Sequence, residues 1–369
     1  MAKIYKSSQS PITISLCMIV KNEEATIERC LESVKQIADE IVIVDTGSTD
    51  KTKEIVSKFT KKAFDFEWIN DFAAARNYAF SQATQEYILW LDADDIFLPE
   101  DQSNFIALKS TLSRDFDVVS MPYTLAVDDK GNISSQLRRN RLVKRAKEFR
   151  WIGAVHEYLE VYGSTLDSSI TVTHRPLSHD SDRNLKIYEQ RLLKGEQFSP
   201  RDLYYFANEL KDHGLNNRAI EYYQKFLATK QGWVEDNIGA CGKLADCFYL
   251  LNEVENQLKY IYLSFQYDTP RPDFCCRLGF HHLNNNELNQ AIFWYKTATQ
   301  LDTPQTSWGL VNFQCATWLP HIQLCVCYSR AGNYELANKH NELAATFIPE
   351  DARIKHNREY LKGMLGKKE

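Results

Sequence analysis

"YILWLDADDIFLPED", residues 87–101, passes from an apolar run to three carboxylates within a few positions. Tyr87 to Leu91 is the compact apolar run of a strand buried on both faces, yet Asp92, Asp94 and Asp95 follow at once. Pro99 with Glu100 and Asp101 then reads as the first turn of a helix. An acidic turn would account for this stretch in isolation, because Asp is a common turn residue. Its surroundings give it another meaning.

Strands and helices alternate on its N-terminal side. "ITISLCMIV" (12–20) is a strand, and "KNEEATIERCLESVKQI" (21–37) places Ile27, Leu31, Val34 and Ile37 on one helical face. The strand "EIVIVDTGS" (40–48) follows, then a helix from about Thr49 to Phe59 behind the Ser48/Thr49/Asp50 capping cluster. A short strand near Ala63 to Phe66 and a helix over Ala73 to Ala83 lead to Tyr87. This spacing predicts parallel pairing with right-handed crossovers and a sheet covered on both faces, a Rossmann-like α/β layer.

Ligands bind such sheets at the carboxyl ends of the strands. Lys21, Asn22, Glu23 and Glu24 follow the first strand, Asp45 to Asp50 the second, and Asp92, Asp94 and Asp95 the fourth. Carboxylates at three adjacent strand ends repel one another unless a cation or a bound polyol sits among them. No strand is followed by Gly-x-Gly-x-x-Gly or Gly-x-x-x-x-Gly-Lys-Ser/Thr, so a diphosphate must be held in another way. A divalent ion chelated by an Asp-x-Asp pair does this by bridging carboxylates to phosphate oxygens.

Composition narrows the class. The 369 residues are 44% hydrophobic and 25% charged, enough for two domains with separate cores. The net charge of −5 gives no basic field for nucleic acid. The apolar run 12–20 is far too short to span a bilayer and lacks the flanks of a signal peptide, so no transmembrane segment and a cytoplasmic location are expected. Nine scattered cysteines suit a reducing compartment and free thiols. Cys275-Cys276 and Cys325-Val326-Cys327, near His281, His282 and His321, fit no standard zinc spacing and are read as buried core thiols.

"CMIVKNEE", "IVIVDTGSTD", "FAAARNYA" and "LWLDADD", in this order, resemble the inverting family 2 glycosyltransferases of GT-A fold. The resemblance covers about residues 12–195. It implies that Val20, Asn22 and Glu23 lie along a nucleotide, that Asp45 with Gly47 receives the base edge (uracil in most relatives), and that Arg76 lies near the diphosphate. Asp92 and Ala93 would face the ribose or a metal-bound water, and Asp94 would ligate Mg²⁺ or Mn²⁺. The residue chemistry agrees: an acceptor-only carboxylate can read a base N–H, and Arg brings a fixed fork of donors to phosphate. A UDP-sugar, UDP-glucose first, is the expected donor.

"DVVSMPYTLAVDDKGNISSQLRRNRLVKR" (117–145) reads as a hairpin turning at Asp129-Lys130-Gly131-Asn132. Beyond it, "WIGAVHE" (151–157) is similar to the Trp-x-Gly-x-Val-His-Glu segment of the branch containing lipopolysaccharide-core glucosyltransferases and bacteriocin S-glycosyltransferases. In that branch the segment occupies the place of the general base. Glu157 is the first candidate and His156 the second, with Trp151 expected at the acceptor. His174, after "SSITVTH", matches a histidine that approaches the metal or diphosphate in related enzymes.

From about Phe198 strands give way to helical periodicity, so the expected domains are 1–195 (GT-A) and 196–369 (all-α). "LNNRAIEYYQKFL", "NEVENQLKYIYLSF", "NNELNQAIFWYKTA" and "GNYELANKHNELAA" align on Ala219, Leu258, Ala291 and Ala337, at separations of 39, 33 and 46. These resemble degenerate tetratricopeptide repeats, whose stacked helix pairs offer a surface for proteins or for a second copy, here a homodimer. The aromatics Tyr222/Tyr223, Tyr260/Tyr262 and Trp294/Tyr295 are read as core. Repeats behind a transferase domain match the bacteriocin enzymes and favour a peptide acceptor over a surface glycan or lipopolysaccharide core. An inactive transferase serving as a repeat scaffold is the remote alternative, against which the intact Asp92/Asp94 pair argues.

Overall fold

A computed structural model describes residues 10–127, 133–177, 182–301 and 312–366. The hairpin turn expected at Asp129 to Asn132 lies outside the described residues. By their contacts the residues form two compact units, residues 1–131 with 136–197 and residues 132–135 with 198–369.

In the first unit the chain runs β1 (Ile14–Val20), α1 (Ile27–Val34), β2 (Glu40–Asp45), α2 (Thr52–Ser57), β3 (Ala63–Asp65), α3 (Phe72–Ser81), β4 (Tyr87–Trp90), β5 (Asp95–Ile96) and α4 (Pro99–Thr111). It continues through β6 (Val118–Val127), β7 (Ile133–Lys144), β8 (Arg150–Ile152), β9 (Tyr158–Glu160), β10 (Thr165–Asp167), β11 (Val172–His174) and α5 (Asp182–Leu193). The main sheet has the order β3-β2-β1-β4-β7-β6-β11-β5, with β10 beside β6. The expected parallel layer occupies one side, where β1 pairs parallel with both β2 and β4, and β2 with β3. Beyond β4 the sheet is mixed, because β7 runs antiparallel to β4 with Ile88 opposite Val143.

Alternation along β4 divides the core. Tyr87 and Leu89 join the cluster around Ile14, Leu16 and Met18, whereas Ile88 and Trp90 join the cluster around Cys17, Val42 and Val44. Both faces of the sheet are therefore covered, which leaves the strand ends as the place where polar side chains collect.

The second unit holds α6 (Pro200–Asp212), α7 (Asn216–Thr229), α8 (Val234–Leu250), α9 (Val254–Ser264), α10 (Pro272–Asn284), α11 (Leu288–Gln300), α12 (Phe313–Ala316), α13 (Trp318–Arg330), α14 (Tyr334–Ala345) and α15 (Ala352–Leu365). Four helix pairs turn in the same way. Gly214, Asn252, Asn286 and Gly332 each sit at φ between 58° and 75°. The next residue's amide reaches back to close the helix, as Leu215 N to Leu210 O at 2.8 Å and Asn333 N to Tyr328 O at 2.9 Å. Only Gly or Asn takes this left-handed position cheaply, which gives the irregular sequence repeat a regular structural marker. The aligned Ala219, Ala291 and Ala337 are fully buried.

Of the aromatics read as core, Tyr223, Tyr260 and Tyr295 are buried, but Tyr262 is 46% exposed, because it lies on the outer side of α9. All nine cysteines are free and buried. Among the described residues no helix is long and apolar enough to cross a membrane.

Candidate active site

The loops after β1 and β2 lock onto each other. Asn22, at φ 56°, accepts the Thr49 amide on Oδ1 at 2.8 Å, and its own amide donates to Ser48 Oγ at 2.9 Å. Glu23 donates its amide to Thr52 Oγ1 at 2.7 Å and accepts the Thr26 hydroxyl at 2.7 Å. Burial raises the Glu23 carboxyl; the Thr26 bond opposes this, and the charges of Asp94 and Asp92 add to it. Asp45, 4% exposed, accepts the Gly47 and Ser48 amides on Oδ1 at 2.9 and 2.7 Å. Its Oδ2 is buried without a hydrogen-bond partner, an acceptor available for a donor such as a base N–H. Gly47 at φ 104° makes the turn that brings these amides round.

α3 starts at Asp71, whose side chain caps the Ala74 amide at 2.9 Å, and this fixes the helix that carries Arg76. Arg76 is 9% exposed and packs on two indoles, 4.7 Å from the Trp151 ring centre and 5.1 Å from that of Trp90. Its Nη2 donates to Asp92 Oδ1 at 2.7 Å and its Nε to Glu157 Oε1 at 2.6 Å. Burial alone would raise the Asp92 carboxyl, but Arg76 and then Arg141 override it and hold it down at about 2.

The two residues after Ala93 complete a cluster with His174. β5 pairs antiparallel with β11, which sets His174 opposite Asp95. His174 Nδ1 lies 3.3 Å from Asp94 Oδ1 and 3.4 Å from Asp95 Oδ1. Burial would lower this imidazole, but the neighbouring carboxylates of Asp94 and Asp95 raise it to about 10. One ligand atom from each of Asp94, Asp95 and His174 lies within 4.8 Å of the others. Asp95 Oδ1 is buried with no well-formed hydrogen bond of its own. Two carboxylates and an imidazole with an unsatisfied buried oxygen fit a hard divalent cation.

Glu157 and His156 lie in the loop joining β8 to β9, where Gly153 at φ 102° and His156 at φ 49° turn the chain. The loop is tied to α3 by Phe72 N to Ala154 O at 2.9 Å and by Asn77, which exchanges two bonds with the Trp151 backbone at 2.9 Å. Trp151 is 4% exposed, edge-on to Trp90 at 4.7 Å. It reaches the cavity as part of the floor beneath Arg76.

A cavity of about 320 Å³ joins these groups: Val20, Glu23, Arg76, Asp92, Ala93, Asp94, Trp151, His156, Glu157 and His174 all border it. Thr46 borders it from the end of β2; Asn22, Asp45 and Gly47 do not border it. Sequence reasoning missed Asp95, Arg141 and Tyr123 as site residues, and Arg183, which stacks over Phe72 at 4.7 Å and also borders the cavity. The two-residue spacing of Arg139 and Arg141 on a strand was a usable signal, since both side chains face the cavity.

Residues 15–161 match the family described as Glycosyl transferase family 2. The chain is 30% identical over 237 residues to the SPbeta prophage-derived glycosyltransferase SunS of Bacillus subtilis (strain 168), covering 60% of this chain and 55% of that one. It is 33% identical over 156 residues to a TPR repeat-containing protein of Synechococcus elongatus, covering 40% of this chain and 35% of that one. The chain thus spans about half the length, or less, of these curated relatives. Among solved structures, glucosyl-3-phosphoglycerate synthase from Mycobacterium tuberculosis in complex with Mn²⁺ and UDP-glucose aligns at 16% identity and a TM-score of 0.36, over 51% of this chain and 81% of that one, a likeness too distant to carry an argument. The segment that matches glycosyl transferase family 2 is the one that holds the parallel layer and the acidic strand ends after β1, β2 and β4.

Proposed function

We propose that the chain is a metal-dependent, inverting glycosyltransferase that moves a hexose, glucose in our reading, from a UDP-sugar to a peptide side chain, a cysteine thiol first. The observation that carries the reading is that Asp94 and His174, grouped with the buried Asp95, border one cavity with Arg76, Asp92 and Glu157. Asp94, Asp95 and His174 would hold Mg²⁺ or Mn²⁺, which when bound neutralises diphosphate charge as the sugar leaves. Asp45, whose Oδ2 has no hydrogen-bond partner, would accept a donor from the base, and Arg76 offers a guanidinium beside the diphosphate. In a single displacement the acceptor sulfur or oxygen bonds to the anomeric carbon, the bond to UDP breaks, and the acceptor proton passes to Glu157 or His156. The helical repeats support a peptide acceptor, and nine free thiols support a reducing, cytoplasmic setting.

Incubation with UDP-glucose, Mn²⁺ and a cysteine peptide should give a peptide heavier by one hexose, with slow donor hydrolysis when the peptide is omitted. Neither product from any nucleotide sugar, with Mn²⁺ or Mg²⁺, would overturn the reading.

A further inference from the structure

Arg141 is the largest fully buried side chain in the first unit, at 0% exposure, and its ion-pair partner Asp95 is equally buried. Burying a charge pair is costly, so such a pair in the wall of a cavity calls for a reason beyond stability. The guanidinium lies between two rings, 3.9 Å from the Trp90 centre and 4.4 Å from that of Tyr123. Nη1 donates to Trp90 O at 3.3 Å, and Nη2 stands 3.0 Å from Asp95 Oδ2 as an ion pair outside hydrogen-bond geometry. The Asp92 amide donates to the same Oδ2 at 3.1 Å. The two oxygens of Asp95 are thus in different situations. Oδ2 is held from two sides, and Oδ1 is left facing His174 Nδ1 at 3.4 Å. Tyr123, the ring on the far side of Arg141, places its hydroxyl 3.0 Å from that same Nδ1.

We propose that Arg141 is a positioning residue for the cation site: by fixing Oδ2 of Asp95 it turns Oδ1 toward Asp94 and His174, so that Asp95 serves as a ligand and not as a purely structural carboxylate. This rests on the reading of Asp94, Asp95 and His174 as the cation site. Groups behind metal ligands set ligand orientation, and their loss typically costs 10–100-fold in metal affinity. A planar fork stacked between rings fixes an oxygen in a way a flexible ammonium does not.

The test is Mn²⁺ binding in the presence of UDP, followed by the electron paramagnetic resonance signal of free Mn²⁺, with no turnover measured. The proteins are the unaltered chain, Arg141→Met, Arg141→Lys, Asp95→Asn and the double variant Arg141→Met/Asp95→Asn. Asp95→Asn and Arg141→Met should each weaken Mn²⁺ binding by roughly 10–100-fold. The double variant should bind no more weakly than the poorer single one, because both changes act on one oxygen. If Arg141→Met does not fold, Arg141→Lys should still lose about tenfold or more. Unchanged Mn²⁺ affinity in folded Arg141→Met, or failing that in Arg141→Lys, overturns the proposal while the cation site stands. So do losses that simply multiply in the double variant. An unaltered chain that binds no Mn²⁺ at millimolar concentration overturns the cation site itself and this inference with it.

Discussion

Arg76 donates its Nε–H to Oε1 of Glu157 at 2.6 Å. With Nη2 on Asp92 at 2.7 Å, one guanidinium ties the β8–β9 loop to the end of β4. Glu157 therefore has one oxygen committed to a cation, and only Oε2 can take a proton from an acceptor. His156, the preceding residue, borders the same cavity.

Glu157→Gln keeps size and much of the hydrogen bonding while removing basicity. If Glu157 is the base, kcat should fall on the order of a hundredfold with little change in donor KM. The loss should be larger for a hydroxyl acceptor than for a cysteine peptide, whose thiol is already partly ionised near neutral pH. A damaging His156→Gln beside a neutral Glu157→Gln would transfer the role to His156. If neither lowers kcat, the 151–157 segment is structural.

Arg76→Lys keeps the charge but cannot hold Asp92 and Glu157 together while lying flat on two indoles. Steady-state kinetics should show kcat/KM reduced about a hundredfold, a loss of about 3 kcal/mol in transition-state stabilisation. Activity within a factor of three of the parent would mean that the fork is not used.

Asp94 is partly exposed and, unlike Asp95, is not paired with a buried guanidinium. Asp94→Ala should abolish transfer and donor hydrolysis while shifting Tm by no more than about 2 °C. EDTA should act on the parent enzyme in the same way, with recovery on adding Mn²⁺. Full activity in chelator would exclude the Asp-x-Asp reading.

Stability should depend on acid through Glu40. Its desolvation would raise the carboxyl, but Lys62, the Ser15 hydroxyl and Thr84 hold it down at about 2. The folded value lies below the ordinary glutamate value of 4.5, so this contribution is present above about 4.5 and is lost as pH falls toward 2. Lys62 is 43% exposed, which limits the contribution to about 1–2 kcal/mol. Urea unfolding of Glu40→Gln should show that loss at pH 7 and a difference from the parent that shrinks below about pH 4. A constant difference down to pH 2 would contradict the assignment.

If the helical unit carries a homodimer seam, light scattering at micromolar concentration should give twice the chain mass. The exposed Tyr249 and Phe280, in edge contact at 5.9 Å, and the neighbouring Leu250 are the apolar residues to test. Leu250→Asp should then give monomers. A monomeric parent leaves the repeats free for the acceptor.

The parallel half of the sheet was legible because its strands are short apolar runs buried on both faces and its helices repeat at 3.6 residues. Both are local signals. The acidic strand ends were legible for the same reason: once the strands are placed, Asp45, Asp92 and Asp94 must lie at one edge. Local pattern also marked the helix pairs, through the aligned Ala219, Leu258, Ala291 and Ala337, while the structure showed the left-handed turns at Gly214, Asn252, Asn286 and Gly332. Local pattern could not show that a two-residue strand, Asp95–Ile96, pairs with Val172–His174, since so short an element has no periodicity and its partner is remote in the chain. That pairing brings His174 to Asp95, and the antiparallel insertion of β7 beside β4 brings Arg141 under both Trp90 and Asp95. The candidates Asp45, Arg76, Asp92 and Asp94 were therefore legible locally. Which carboxylate stays open, and which is tied to an arginine, was decided by long-range strand pairing, because orienting a buried charge requires partners that only the assembled sheet supplies.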